Sequence, residues 1–149
     1  WLRIRDSRAA SYMLACFVII IFSVSATNVV WKRPLIDSEE FASIGEINQI
    51  VPAGSFILSP SSYYAPWLYG FTDSEIIAPG MLDYSFWDKA VWDNYRDDAD
   101  VDLIRDLARM LDIARVYVFA GKNDIKFVDR INKNEFYKKI NENLWEFSY

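Results

Sequence analysis

The sequence Arg115-Val-Tyr-Val-Phe119 gives the strongest strand signal in this chain of 149 residues. After Arg115, every position is β-branched or aromatic, so the segment is apolar on both faces of a strand. Strands of this kind lie in the interior of sheets that helices cover on both sides. We therefore predict a mixed sheet in which Val116 to Phe119 is a central strand.

Helix and strand patterns alternate around this strand and define one small domain. Capping residues mark the starts of the helices, and Pro or Gly residues interrupt the patterns. The predicted elements are a helix over Leu35 to Ile50, a strand over Ser55 to Ser59, a short helix from Ser61 or Ser62 to Gly70, a strand over Glu75 to Ala78, helices from Ser85 to about Tyr95 and from about Val101 to Leu111, and a closing hairpin of Phe136 to Ile140 with Leu144 to Tyr149. The pattern of residues 125–131 does not decide between a helix and a strand. This order predicts a small α/β (α+β) domain over residues 34–149.

A long apolar segment precedes the domain, because Ala9 to Trp31 contains no charged residue. As a helix it would be about 35 Å long, enough to cross a hydrocarbon core of about 30 Å. Three hypotheses stay open: a signal peptide cleaved near Val24-Ser25-Ala26, a single membrane anchor, or the final span of a polytopic protein. The run continues through Val29 to Trp31, so we predict one retained transmembrane helix over residues 9–31.

The charges on either side of this segment predict an orientation. Residues 1–33 carry five basic and one acidic residue, whereas residues 34–149 carry 11 basic and 20 acidic residues, a net charge of −9. Three arginines precede the span and two basic residues follow it, which favours a cytoplasmic flank over residues 1–8. The sequence thus predicts a cell-membrane protein that has residues 34–149 outside the cytoplasm. The acidic domain excludes nucleic acid as a partner.

The composition excludes several kinds of chemistry. The chain has no histidine, its only cysteine is Cys16, and its five glycines stand singly, which excludes His-based triads, His-ligated zinc, an intrachain disulfide and a Gly-rich phosphate loop. Asp98, Asp100 and Asp102 have the spacing of a calcium loop. However, Leu103 replaces its glycine and Arg109 its closing glutamate. Helix capping explains these carboxylates better, and we expect no metal, no cofactor and no catalytic residue.

Aromatic residues concentrate directly after the first predicted strand, in the segment Ser61 to Asp73. Loops beyond strand ends are where ligands collect in open α/β sheets. One hypothesis is that the rings bind a glycan or a lipid, and its candidate residues are Tyr63, Tyr64, Trp67 and Asp73. The other is that they pack in the core; Trp67 and Tyr63 would then be buried against Phe56, Leu58 and Val118.

Several short motifs resemble the C-terminal tail of polytopic membrane glycosyltransferases of the GT-C type. The motifs are Pro52-Ala-Gly-Ser-Phe-Ile-Leu58, Tyr63-Tyr-Ala-Pro-Trp-Leu-Tyr-Gly-Phe-Thr72, Ile76-Ile-Ala-Pro-Gly80, Phe136-Tyr-Lys-Lys-Ile140 and Leu144-Trp-Glu-Phe147. The resemblance covers most of residues 10–149. It departs at Asp73-Ser74, where related tails often have a basic step.

The resemblance implies that the whole protein transfers a sugar from a polyprenyl-phosphate donor. This chain would supply the last membrane span and a non-catalytic extracytoplasmic domain, because the catalytic carboxylates of the GT-C type lie in early loops. Its partners would be the lipid bilayer, the remaining transmembrane helices, and a glycan or polyprenyl phosphate. The alternatives are a single-pass membrane-anchored interaction module without enzymatic activity and an independent hydrolase, which would have to act without histidine.

Overall fold

The computed structural model describes residues 14–23, 36–80 and 86–148. It divides the chain into two compact units, Trp1–Leu35 and Ile36–Tyr149. In the first unit, residues 14–23 are helical and their side chains are exposed. No helix within the described ranges combines the length and the apolar character that crossing a membrane needs. The flank 1–8, the rest of the predicted span and the candidate cleavage site at residues 24–26 lie outside the described residues.

The second unit contains five strands and five α-helices among the residues that the structure describes. In chain order they are α1 (Ser38–Ile50), β1 (Phe56–Leu58), α2 (Ala65–Phe71), β2 (Glu75–Ile77), α3 (Lys89–Asp98), α4 (Val101–Met110), β3 (Arg115–Phe119), a 3₁₀ turn (Lys122–Asp124), α5 (Ile125–Ile131), β4 (Tyr137–Lys139) and β5 (Leu144–Ser148).

The strands form one mixed sheet in the order β2-β1-β3-β5-β4. Strand β1 pairs in parallel with both β2 and β3, whereas β5 pairs antiparallel with β3 and β4. The predicted α+β domain with a mixed sheet is therefore confirmed, as are the central position of β3 and the closing hairpin. Every residue of β3 after Arg115 is buried, as expected for a strand in the middle of a sheet.

Helices cover both faces of the sheet and create two hydrophobic clusters. On one face, Ile57 and Phe119 pack with residues of α1 and α2, including Ile44 and Leu68. On the other face, the alternate strand residues pack with α3, α4 and α5; they include Leu58, Val116, Val118, Trp145 and Phe147. The second unit thus forms three layers, helix on sheet on helix.

The starts of helices α2 and α3 differ from the sequence predictions. Helix α2 begins after Tyr64 without a side-chain cap, and it runs through Gly70 to Phe71 instead of ending at the glycine. Helix α3 begins after Asp88, whose side chain accepts a hydrogen bond from the backbone N–H of Val91, rather than at Ser85. The helix that begins there, Lys89–Asp98, buries Trp92 and Tyr95 and leaves Ala90 exposed.

In two other helices, an aspartate caps the first turn. Asp37 caps α1 in a capping box with Glu40, so the helix begins at Ser38 and not at Leu35. Asp100 caps α4 through the backbone N–H of Asp102, as the capping interpretation of these carboxylates predicts. Among the described residues, no group of three acidic or cysteine side chains is placed to hold a metal ion.

Candidate binding site at the carboxyl edge of the parallel strands

The carboxyl ends of β1, β2 and β3 meet at one edge of the sheet because the three strands are parallel. The chain leaves β1 toward α2 on one face and leaves β3 toward α5 on the other face. Neighbouring strands whose connections diverge in this way open a crevice, and ligands of open α/β sheets bind in such crevices. The segments that follow β1 and β3 therefore define the candidate site.

A buried carboxylate on α1 ties these segments together. Glu40 is only 3% exposed. Its Oε1 accepts hydrogen bonds from the hydroxyl of Tyr64, at 2.8 Å, and from the backbone N–H of Lys122, at 2.7 Å. Its Oε2 accepts one from the backbone N–H of Asp37 at 3.2 Å. Three donors thus satisfy a charge that would otherwise be costly to bury.

Tyr64 bridges the crevice between β1 and β3. Its hydroxyl accepts hydrogen bonds from the backbone N–H and the Nδ2 of Asn123, both at 3.2 Å. Burial, and to a lesser degree the carboxylate of Glu40, raises the pKa of Tyr64 well above its usual value. The phenol therefore stays protonated, and its hydrogen bonds connect the segment after β1 to Glu40 and to Asn123.

Gly121 lets the two sides of the crevice approach this closely. A Cβ at this position would lie 2.3 Å from both the Cζ and the hydroxyl of Tyr64, and 2.5 Å from Oε1 of Glu40. A Cβ does not approach other heavy atoms within 3.0 Å in real proteins, so these distances are too short. The hydrogen bond between Tyr64 and Glu40 therefore requires a residue without a side chain at position 121.

Asp124 ends the segment after β3 and is the least satisfied polar group of the site. Its side chain is 7% exposed, and its Oδ2 has no hydrogen-bond partner among the described residues. Burial raises the pKa of Asp124 to about 6, although a backbone hydrogen bond from Gly121 and the charge of Arg96 act in the opposite direction. Asp124 lines a cavity of about 320 Å³ together with Arg96, Asp97, Asn123 and Lys126.

A second cavity, of about 270 Å³, lies beside the ends of β1 and β2 and shares Arg96 with the first. Ser61 and Ser62 line it on the sheet side, and Lys89 and Asp93 line it on the side of α3. Asp93 forms ion pairs with Lys89 and, at 2.8 Å, with Arg96. These cations, Lys89 above all, hold the pKa of Asp93 below its usual value. Arg96 therefore lines both cavities and pairs with Asp93.

A larger depression of about 520 Å³ lies between the turn after β3, α5 and the β4–β5 hairpin. Its lining includes Lys122, whose ammonium pairs with Asp37 at 2.6 Å and with Glu39 at 2.7 Å. These two carboxylates raise the pKa of Lys122. Exposed ion pairs of this type contribute little to stability or to binding.

The four residues predicted from sequence do not form one site. Tyr63 and Tyr64 lie at the carboxyl edge, with ring centroids 5.4 Å apart. Trp67 is half-buried and packs against the hydrophobic cluster under α1 and α2. Asp73 is exposed and precedes β2, so it lies at the opposite edge; its carbonyl accepts a hydrogen bond from the N–H of Gly54 at 3.2 Å.

The packing hypothesis named the wrong partners for the aromatic rings. Phe56, Leu58 and Val118 belong to the cluster under α3 to α5, whereas Tyr64 and Trp67 belong to the cluster under α1 and α2. The cause is the two-residue period of a strand, which directs Ile57 to the face opposite Leu58. Tyr63 is 37% exposed and Trp67 only partly buried, so a ligand can reach both rings.

Sequence reasoning missed the residues that the structure brings together at this edge. Glu40 fits a helix cap, Gly121 to Asp124 fit an ordinary turn, and Arg96 lies in a helix rich in charge. One signal was available: the segment Gly121 to Asp124 directly follows the strongest strand, at the position where parallel sheets place their ligand loops.

Comparison of the chain with models of known protein families, with curated proteins and with solved structures finds no match.

The raised pKa of Asp124 predicts a specific pH dependence of stability. The folded protein holds this proton up to a pKa of about 6, whereas in the unfolded chain the carboxyl has its ordinary pKa of 3.8. The free energy of unfolding should therefore fall by roughly 1–2 kcal/mol as the pH rises from about 4 to about 6 and then level off. Asp124→Asn should remove this fall, which thermal melts of both proteins at a series of pH values would measure.

The comparison between the two proteins is needed because Asp37 and Asp93 have lowered pKa values and act in the opposite sense. Their stabilisation is lost as the pH falls, and it is common to both proteins. A difference between wild type and Asp124→Asn that stays constant from pH 4 to pH 7 would contradict the assignment.

Proposed function

We propose that the chain is the last membrane span and the non-catalytic extracytoplasmic domain of a membrane glycosyltransferase that uses a polyprenyl-phosphate sugar donor. The observation that carries this proposal is the uncharged run from Ala9 to Trp31, placed directly before a domain of net charge −9. A run of this length matches the thickness of a bilayer. The motif resemblance supports the more specific part, the class of enzyme.

An aromatic surface on α1 and α2 also supports a role at a membrane or against a partner protein. Phe41 is 40% exposed and Phe71 is 49% exposed. The ring of Phe41 lies 5.0 Å from that of Phe71 and 5.9 Å from that of Trp67, measured between centroids. Clustered aromatic side chains at a surface favour headgroup layers and protein interfaces. This surface is equally compatible with the second candidate, a membrane-anchored interaction module.

Membrane attachment is tested by alkaline carbonate extraction of bacterial membranes that contain the full chain. We expect the chain to stay in the membrane pellet, because a spanning helix resists extraction. A matched variant with Ile19→Lys and Ile21→Lys should leave the pellet, since each charge costs about 3 kcal/mol at the centre of a bilayer. Extraction of the unmodified chain would contradict the proposal.

Orientation is tested with a membrane-impermeant maleimide. Cys16 is the only cysteine, so Cys16→Ser gives a thiol-free background into which Ser148→Cys introduces one exposed thiol. We expect this thiol to react in intact spheroplasts. Reaction only after lysis would place the domain on the cytoplasmic side and would contradict the proposed topology.

The two candidate functions differ in what precedes Trp1 in the gene. Eight or more apolar segments upstream would favour the glycosyltransferase. A start codon directly before Trp1 would favour the interaction module and would overturn the first candidate.

A further inference from the structure

We infer that the aromatic surface formed by Phe41, Trp67 and Phe71 docks into the headgroup layer of a bilayer of neutral lipids. This inference deepens the proposed function, because it rests on the membrane span proposed for residues 9–31. It assigns a lipid-contacting face to the domain that follows the span. The exposure of the rings, the absence of charge around them and the short chain before α1 support it.

Helix α2 lies at the surface of the domain and yet carries no charge. None of the seven residues of Ala65–Phe71 is charged. Four of them are exposed, namely Pro66, Tyr69, Gly70 and Phe71. A surface helix of a globular domain normally presents charged or polar residues on its outer side. The outer side of α2 therefore suits an environment less polar than bulk water.

The exposed ring of Phe71 belongs to a cluster that extends onto α1. The rings of Trp67 and Phe71 stack with their centroids 6.2 Å apart. Phe41, which is 40% exposed, meets both of these rings edge-on. The three side chains thus form one continuous apolar surface across two helices.

The period of α1 keeps the charges of this helix away from the cluster. Gly45 and Asn48 follow Phe41 by four and seven residues and lie on the same side of the helix. The exposed residues Glu39 and Glu46 project from the other side. Neither helix therefore brings a carboxylate to the centre of the aromatic surface.

The backbone at the end of α2 already has partners. Nδ2 of Asn48 donates to the carbonyl of Phe71 at 3.3 Å, and the hydroxyl of Thr72 donates to the carbonyl of Leu68 at 2.8 Å. Carbonyls at a helix end otherwise depend on water. Oδ1 of Asn48 also accepts from the N–H of Asp73, whose exposed side chain marks a polar margin. The surface therefore suits the headgroup layer rather than the hydrocarbon core.

The length of chain before α1 favours the bilayer over a protein partner. Only residues 32–37 separate the uncharged run that ends at Trp31 from the start of α1 at Ser38. A fully extended chain of this length reaches at most about 25 Å. Phe41 lies at the end of the first turn of α1, so the span would hold the aromatic surface close to the headgroups. Aromatic side chains favour that layer, and a short tether strengthens a weak contact.

The charge of the domain indicates the class of lipid. Residues 34–149 have a net charge of −9, and α2 has no basic residue. Anionic headgroups would therefore add repulsion without a cation to attract them. Neutral headgroups such as phosphatidylcholine and phosphatidylethanolamine meet no such repulsion.

The test measures the immersion of a nitroxide spin label by power-saturation EPR, with the full chain in nanodiscs of phosphatidylcholine. In the Cys16→Ser background, Gly70→Cys places the label beside Phe71, where a Cβ has no heavy atom within 4 Å. Met110→Cys is the matched site: Met110 is 63% exposed on α4, which packs on the opposite face of the sheet. Oxygen concentrates in lipid, whereas a nickel chelate stays in water.

We expect the ratio of oxygen to nickel collision rates to be at least about threefold higher at position 70 than at position 110. Replacing about 30% of the lipid by phosphatidylglycerol should not raise the ratio at position 70, because the domain is acidic. An increase with phosphatidylglycerol would contradict the assignment to neutral lipids.

Matched variants connect the immersion to the aromatic rings. Phe41→Gln combined with Phe71→Gln should lower the ratio at position 70 to that at position 110. Ile125→Gln removes a side chain that is 66% exposed on α5, and it should leave the ratio unchanged. If the double variant fails to fold, the two labelled positions in the otherwise unchanged chain still decide the inference.

Three other results would overturn the inference. They are equal ratios at positions 70 and 110, a high ratio at position 70 that the folded double variant retains, and slow collisions with both reagents together with spin–spin broadening, which would show a second copy on this surface. A chain that does not remain with the nanodiscs would refute the membrane span and the docking together. A chain that remains with them but has equal ratios would refute the docking alone.

Discussion

Gly121→Ala should lower the free energy of unfolding by about 3 kcal/mol or prevent folding. The added methyl group would lie 2.3 Å from the hydroxyl of Tyr64 and 2.5 Å from Oε1 of Glu40. Overpacking of a rigid site costs about 1–3 kcal/mol and occasionally more. Tyr64 cannot move aside easily, because its ring is fully buried and its hydroxyl is held from two directions. Thermal melts followed by circular dichroism would measure the loss.

Gly45→Ala is the matched control for this substitution. Gly45 lies within α1, and a Cβ there would have no heavy atom within 4 Å. Replacing a helical glycine by alanine stabilises a protein by about 0.5–1 kcal/mol. The two variants should therefore shift the melting temperature in opposite directions. Equal behaviour of the two would show that the approach of Tyr64 to Gly121 is not tight in solution.

Glu40→Ala should also destabilise the domain by about 3 kcal/mol. The substitution leaves the Tyr64 hydroxyl and the N–H of Lys122 without their buried acceptor, and each unsatisfied group costs about 1–3 kcal/mol. It also removes half of the capping box of α1. Chemical denaturation monitored by tryptophan fluorescence would measure the change.

Glu39→Ala is the control for this prediction because it removes a carboxylate from the adjacent position. The side chain of Glu39 is exposed and pairs with the surface residue Lys122. Its removal should barely change stability, since exposed ion pairs contribute little. If Glu40→Ala and Glu39→Ala lowered the free energy of unfolding equally, the hydrogen bonds of Glu40 would contribute no more than an exposed ion pair. That result would contradict the prediction.

Local patterns in the sequence predicted much of the fold. The bounds of β3 follow from its β-branched and aromatic run, and the closing hairpin follows from alternation around Asn141 to Asn143. The cap at Asp100 follows from the preference of helix starts for aspartate. In each case the deciding interaction lies within a few residues of the chain, where a periodic pattern or a capping preference is visible.

The candidate site could not be predicted in the same way because its contacts are long-range. Glu40 and Lys122 are 82 residues apart, and Tyr64 lies 59 residues before Asn123. The position of Glu40 in the first turn indicates a capping box with Asp37, but nothing local indicates that its carboxylate also accepts from Tyr64 and Lys122. Only the register of β1 beside β3 brings Tyr64, Gly121 and Glu40 to one point.

The two edge strands of the sheet have a consequence for how this domain meets other proteins. Strand β4 is three residues long and carries two lysines, while the carbonyl of Ile76 on β2 accepts a hydrogen bond from the hydroxyl of Tyr69 at 3.1 Å. Short, charged or occupied edges are poor templates for an incoming strand. The sheet is therefore protected against growth into fibrils or strand-swapped dimers at high concentration. The domain should therefore associate with other chains through side chains on its helices and loops.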